Sequence, residues 1–324
     1  MMKGSYVFGV VIAVMLGVFL SCETAQVPAG GSAYRFPEYK GTVSAGSWNR
    51  SIVITYTVDG VQESVPVQIY FPRSYRRGRN MRTLIGLHDL NGSMSSWSRF
   101  TRIEDYAERH NYILVCPNMP GTLYETKYFP ETTRKWNRIP GGRWIAEILV
   151  PYLRQSFGIA LDKNKTGIFG CSTGARGAVL VASAYPELFG AAAGFSGAYD
   201  SLAAADSRLL WSVYGEYKKF KKRWKDEDNV IRLAENLKDI PLILAHGKDD
   251  TTVPYDQTRL LAIRLLQLRG KCSDKSGQET TEEGGRRPYE FHMLLRRNEY
   301  HNWAFWRTMP RYMMPLFDRY LEAD

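Results

Sequence analysis

The residue of this 324-residue chain best placed to form a covalent bond with an acyl group is Ser172, at the centre of Gly170-Cys171-Ser172-Thr173-Gly174. A serine hydroxyl is a poor nucleophile at neutral pH. It needs a base within hydrogen-bond reach, and the base needs a carboxylate to fix its tautomer. The chain offers five histidines for the base. The G-x-S-x-G spacing has a steric meaning where a strand turns into a helix within a couple of residues. There the serine is held at a strained backbone angle, and the crossing strand and helix leave no room for side chains at the flanking positions. The surroundings fit that setting. Gly167, Ile168 and Phe169 read as a short apolar strand. Gly174, Ala175, Gly177 and Ala178 open a helix able to lie close on a sheet, Pro186 marks its end, and small residues then run to Phe195.

In this setting, Thr166 to Ser196 resembles the nucleophile elbow of the α/β-hydrolases. The tail Pro186-Glu187-Leu188-Phe189-Gly190, leading to Ser196-Gly197-Ala198, is similar to the esterase D-like branch, with its feruloyl esterases, S-formylglutathione hydrolases, siderophore esterases and mycolyltransferases. The resemblance implies an α/β-hydrolase fold with a mostly parallel central sheet, helices on both faces and an N-terminal β-hairpin. It also implies the chain order Ser, then Asp or Glu, then His. His246-Gly247-Lys248-Asp249-Asp250-Thr251-Thr252-Val253-Pro254 is similar to that family's H-G-x-x-D-x-x-V-P loop, and the matching carboxylate is Asp250; Asp249, one place earlier, is its rival. His301, in Tyr300-His301-Asn302-Trp303-Ala304-Phe305-Trp306, matches the H-x-W-x-x-W block that carries the base. His292 lies inside an apolar strand and reads as a core histidine, and His246 as a structural one at a strand end.

Two backbone N–H groups are expected to hold the oxyanion: Thr173, just after the nucleophile, and, by resemblance, Leu90 in His88-Asp89-Leu90-Asn91-Gly92-Ser93. The family usually reads His-Gly here, and Asp89 replaces the glycine. A carboxylate beside a developing oxyanion is unfavourable unless it points away or pairs with a cation. Arg176 is an unusual side chain in a helix of small residues, and reads either as a substrate-carboxylate ligand or as a structural ion pair.

Ser51–Thr57 and Ser64–Pro72 alternate as two strands joined at Asp59-Gly60. Buried strands are expected at Arg82–His88 and Ile240–His246, and further strands at Tyr112–Cys116 and Tyr289–Leu295. Helices are expected at Phe100–His110, Arg143–Phe157 and Gln257–Arg269, with a terminal one over Trp303–Leu321 interrupted by Pro310 and Pro315. This alternation argues for a mostly parallel sheet covered on both faces. Pro117 to Pro140 reads as a long irregular segment, Asp200 to Asp239 as a helical insertion, and 271–287 as a mobile loop.

Residues 1–21 read as an export signal, and Phe19-Leu20-Ser21-Cys22 resembles a bacterial lipobox in which Cys22 is lipidated. The expected organisation is a signal over 1–21, a linker over 22–44 and one hydrolase domain over 45–324. The protein would be exported and held at a membrane, periplasmic or at the cell surface, by its N-terminal lipid; a transmembrane reading of 7–20 stays open. The formal charge of +10 favours anionic surfaces, yet no nucleic-acid module is visible. Tyr217 to Lys225 sets aromatics at helical spacing among lysines, as a lid helix with a solvated basic face or as a lipid-facing patch. Cys116, Cys171 and Cys272 give neither a disulfide framework nor a zinc spacing, and no cofactor or metal is implied. The expected reaction is hydrolysis of a small-molecule or glycan-linked ester through an acyl-enzyme. Acyl transfer of the mycolyltransferase type, peptide cleavage, and an inactive surface binding protein are the alternatives.

Overall fold

The computed structural model describes residues 33–272 and 287–323. The export signal, Cys22 and nearly all of the 271–287 loop therefore lie outside the described residues. Eight strands form one sheet in the order β1-β2-β4-β3-β5-β6-β7-β8. They are β1 (Ser47–Val58), β2 (Val61–Phe71), β3 (Thr83–Leu87), β4 (Ile113–Pro117), β5 (Thr166–Cys171), β6 (Ala191–Phe195), β7 (Leu242–Gly247) and β8 (Phe291–Arg296). β1 and β2 are antiparallel, β2 meets β4 antiparallel, and all remaining pairs are parallel. This is the α/β-hydrolase architecture that the alternating strands and helices imply.

The hairpin follows from local chemistry. Asp59 and Gly60 both take positive φ, which the right-handed twist of a two-residue turn requires. On β1, Ile52, Ile54 and Tyr56 point to the core while Val53 faces solvent, the period of two expected of a half-buried strand. The parallel strands β3 to β7 are buried along their whole lengths, as strands covered on both faces must be. One face is covered by the helical stretch 141–157 and the helices Thr173–Ala184 and Asp256–Gly270, the other by Ile103–His110 and Met309–Tyr320.

Three expectations change in detail. The helix Phe100–His110 is two helices, Ser96–Phe100 and Ile103–His110, because Thr101 is extended and its hydroxyl accepts the Ile103 N–H at 3.1 Å. The terminal helix breaks at Arg307 and Thr308. Pro310 sits in the first turn of Met309–Tyr320, where its missing N–H costs nothing, and only Pro315 lies inside the helix. The expected linker is not free over its second half. Tyr34, Phe36, Tyr39 and Val43 pack on the core, the Phe36 N–H donates to Gln155 Oε1 (2.8 Å) and the Tyr39 N–H to the Ser156 carbonyl (3.0 Å).

The chain order places the loops that matter. From β3 the chain runs outward to β4, then returns to β5 on the other side of β3. The loops leaving the C-terminal ends of β3 and β5 therefore diverge and open a crevice between them, where such sheets bind ligands.

Candidate active site

Ser172 follows β5 with φ 55° and ψ −122°, a conformation that a side-chain-bearing residue adopts only under constraint. The constraint is visible. Its N–H donates to the Phe195 carbonyl at 2.9 Å, and its own carbonyl accepts the Ala175 and Arg176 N–H groups at 3.0 and 3.1 Å. A β-carbon on Gly170 would lie 2.3 Å from the Gly174 carbonyl oxygen, and one on Gly174 would lie 2.5 Å from that of His88. Both glycines of the pentapeptide are thus steric requirements of the sharp turn.

Asp250 and His301 reach Ser172 from the ends of β7 and β8. His301 Nε2 is 2.8 Å from Ser172 Oγ, and His301 Nδ1 is 2.7 Å from Asp250 Oδ2. Asn302 caps the short helix Trp303–Trp306 by accepting the Phe305 N–H, and the His301 ring meets that of Trp306 edge-on at 5.0 Å. Asp250 Oδ1 accepts the Thr252 and Val253 N–H groups at 3.0 and 2.8 Å. Burial works against the Asp250 charge, but His246, His301 and the Val253 N–H outweigh it and hold the carboxyl well below the usual carboxylate range.

Asp249 accepts the Asn298 N–H instead, and among the described residues His301 pairs with Asp250. His246 is fully buried. Its Nδ1 takes the Thr258 hydroxyl (2.8 Å), so its Nε2 carries the proton, 2.9 Å from the Val253 carbonyl and 3.3 Å from Asp250 Oδ2. It is structural, as its sequence context suggests, with the added duty of backing the carboxylate. His292 Nε2 pairs with the Tyr320 hydroxyl, away from the site.

The loop after β3 is fixed by His88. Its Nε2 accepts the Met119 N–H at 2.9 Å, so Nδ1 holds the proton and donates to the Asp89 carbonyl at 2.6 Å. The Gly92 N–H reaches the same carbonyl at 3.0 Å. In a trans peptide the C=O and N–H point in opposite directions. Pinning the Asp89 carbonyl therefore aims the Leu90 N–H the other way. Among the described residues, neither the Leu90 N–H nor the Thr173 N–H has an acceptor in the protein. The latter emerges at a helix N-terminus, where the first N–H groups have no intrahelical partner. Burial keeps the His88 pKa below its ordinary value, so the ring stays neutral and its two bonds stay in this sense.

An Esterase family model matches residues 59–309, a span that contains Ser172, Asp250 and His301. The chain belongs to the Esterase family. Among its relatives, feruloyl esterase B of Neurospora crassa is 27% identical over 131 residues, 40% of this chain and 44% of that enzyme, so the match spans less than half of the relative. Two solved structures share the fold. FphF of Staphylococcus aureus, a fluorophosphonate-binding serine hydrolase, superposes with a TM-score of 0.61 at 17% identity, covering 85% of this chain and 99% of that one. MPT51 of Mycobacterium tuberculosis gives 0.64 at 14% identity, covering 86% and 100%.

In this member of the Esterase family, Arg176 faces inward and is 4% exposed. Its guanidinium donates to the Leu123 and Asp228 carbonyls and to the Tyr214 hydroxyl, each at 2.8 Å, and Tyr214 in turn donates to Asp228 Oδ2 at 2.9 Å. It is an anchor between the helix behind the serine, the segment after β4 and the 200–239 insertion. The basic run resolves in a similar way. Trp224 is buried and donates to the Gly215 carbonyl, while Lys218, Lys221 and Lys225 stand in solvent. Cys116 and Cys171 are buried, and burial pushes their thiols up, Cys116 to about 12, which leaves them unreactive.

Asp89 lies with its carboxylate against Gly92, where a β-carbon would come within 2.6 Å of Asp89 Oδ1. His88 and Gly247 stand inside the matched motifs, but the motifs give neither of them its structural role. A β-carbon on Gly247 would fall 2.2 Å from the Glu299 carbonyl oxygen, so this glycine lets the Asp250 and His301 loops touch.

Proposed function

We propose that the chain hydrolyses carboxylic esters through an acyl-enzyme on Ser172. His301 takes the serine proton as the hydroxyl attacks the ester carbonyl, and returns it to the departing alkoxide. Asp250 keeps His301 in the tautomer with its proton on Nδ1 and stabilises the imidazolium. The Leu90 and Thr173 N–H groups receive the oxyanion, a contribution of about 2.7–4 kcal/mol for each donor in related chemistry. Water, activated by the same imidazole, then releases the acid. The observation that carries this reading is the unbroken hydrogen-bonded path that starts from Ser172 Oγ on a strained elbow and runs through His301 to Asp250. An inactive binding protein has no need of that strain.

The deciding experiment is hydrolysis of a p-nitrophenyl acyl ester by the wild type and by Ser172→Ala, together with fluorophosphonate labelling. Loss of both turnover and labelling in the variant, at unchanged melting temperature, is expected. Retained turnover would mean that another residue is the nucleophile.

Lipidation of Cys22 and attachment to a membrane from the exported side belong to the same proposal, supported by the apolar 7–20 run and the lipobox-like residues before Cys22.

A further inference from the structure

Tyr124 lies in the irregular segment after β4 and is fully buried. Its φ of 56° is left-handed, a region in which an aromatic residue stays only where its surroundings hold it. The holds are specific. The Tyr124 N–H donates to Thr122 Oγ1 at 2.9 Å, and a β-carbon on Gly142 would fall 2.5 Å from the Tyr124 carbonyl oxygen. A backbone constrained in this way places its side chain, and this side chain touches two elements at once.

The ring rests on the helix that begins with Thr173. A β-carbon on Gly177, about one turn into that helix, would come within 2.4 Å of Tyr124 Cγ. The hydroxyl reaches the loop after β3 and donates to the His88 carbonyl at 2.9 Å. The same carbonyl oxygen leaves no room for a side chain at Gly174, where a β-carbon would stand 2.5 Å away. Burial pushes the phenol well above its ordinary pKa, so Tyr124 keeps the proton that makes this bond.

We propose that Tyr124 is a positioning residue for the oxyanion site, setting the direction of the Leu90 N–H and its separation from the Thr173 N–H. This role rests on the esterase reading above and adds a residue to it that lies outside the Ser172, Asp250 and His301 group.

Two consecutive peptide planes lead to Leu90. The second, between Asp89 and Leu90, is held by the His88 ring and the Gly92 N–H, which share the Asp89 carbonyl. The first, between His88 and Asp89, is held at its carbonyl by the Tyr124 hydroxyl. Peptide planes are stiff, so the turn from one to the next is confined to the two backbone dihedrals of Asp89. Fixing both planes leaves the Leu90 N–H one direction. Tyr124 also spans the gap between the two donors, with its ring against the Thr173 helix and its hydroxyl on the Leu90 loop. Removal of the hydroxyl frees the first plane and leaves the His88 carbonyl without this donor, while the ring keeps its place on Gly177.

The test compares phenyl acetate with phenyl thionoacetate, which differ only in the carbonyl atom. Sulfur is the weaker acceptor, so a well-aimed pair of N–H groups favours the oxygen ester in the transition state. Both substrates need the same triad, and an unfolded fraction lowers both alike, so the ratio of their kcat/KM values reads the donors. In Tyr124→Phe, phenyl acetate turnover is expected to fall about tenfold to hundredfold in kcat with KM unchanged, short of the roughly 10²–10³ lost with a whole donor. The ester-to-thionoester ratio should fall by at least about fivefold. Thr122→Val, of nearly the same shape, removes the acceptor of the Tyr124 N–H and should shift the ratio in the same direction. It carries the test if Tyr124→Phe does not fold. A ratio unchanged in Tyr124→Phe, or in Thr122→Val where only that variant folds, overturns the positioning role and leaves the esterase intact, however far the two rates fall together. A wild type that neither turns over phenyl acetate nor takes up a fluorophosphonate label removes the esterase reading and the positioning role together.

Discussion

Gly247 and the Glu299 carbonyl are in such close contact that a single added methyl on Gly247 would overlap the oxygen at 2.2 Å. Neighbouring bonds draw the same two loops together, from the Lys248 N–H to the Arg296 carbonyl (2.7 Å) and from the Asp249 N–H to the Glu299 carbonyl (3.2 Å). The distance between Asp250 and His301 is set by this seam. Gly247→Ala should push the His301 loop outward and cost about 1–3 kcal/mol of stability through overpacking. Because a displacement of about 1 Å costs about 10²-fold in rate, kcat should fall far more than the folded fraction does. Steady-state kinetics beside a urea titration checks this; parallel losses would assign the effect to folding alone.

His88 controls the direction of the Leu90 N–H from a buried position. His88→Gln should lower kcat with little change in KM, because the oxyanion forms only after binding. Stability carries a second signature. The folded pKa of His88 lies below the ordinary imidazole value of about 6.5, so its contribution is complete above that pH and is lost as pH falls toward the folded pKa. Urea midpoints measured from about pH 7 down to 5 should therefore drop more steeply in the wild type than in His88→Gln. Equal slopes would exclude His88 as the source.

The Asp250 carboxylate holds His301 from behind and keeps its charge throughout the neutral range. Its folded pKa is depressed, so its stabilising charge is present above the ordinary carboxylate value of about 3.9 and is lost only as pH drops through the lower folded value. Asp250→Asn should retain the fold and lose about 10⁴ in kcat by presenting the wrong tautomer. Steady-state kinetics of wild type and variant, beside their melting curves, checks this; an unchanged kcat would remove Asp250 as the group that orients the base.

Arg176→Met should destabilise the protein by about 3–5 kcal/mol, because it strips the charge partner from a buried Asp228 and the donors from two carbonyls. Arg176→Lys should not restore it, since one ammonium cannot reach three acceptors in a plane. Denaturant unfolding measures both.

Cys22→Ala should leave the protein without an acyl modification and release it from membranes into the aqueous phase of a detergent partition. Unchanged partitioning would favour a membrane-spanning 7–20 segment.

What could be read from the chain and what could not divide along a physical line. Ser172, Asp250 and His301 each sit at a strand end inside a few residues of distinctive sequence, so short-range pattern and its family resemblance name all three as candidates that the fold brings within hydrogen-bond reach of one another. The packing of residues 34–43 depends on Gln155 and Ser156, more than a hundred positions away, and nothing local announces it. The sequence leaves Arg176 between two roles for the same reason: its acceptors lie 38 to 53 residues distant. The helix break at Thr101 turns on one hydroxyl, and the role of His88 on which way a peptide plane faces. Neither has a periodicity to betray it.

The inward anchor at position 176 also sets terms for anyone remodelling this scaffold. Replacing residues 200–239 with a segment from another protein would strand a permanent buried cation on the helix that follows Ser172 unless the graft supplied its own phenol and carbonyl in the same places. Exchange of substrate range by module swapping is therefore expected to succeed only when the donor segment and position 176 are transferred as one unit.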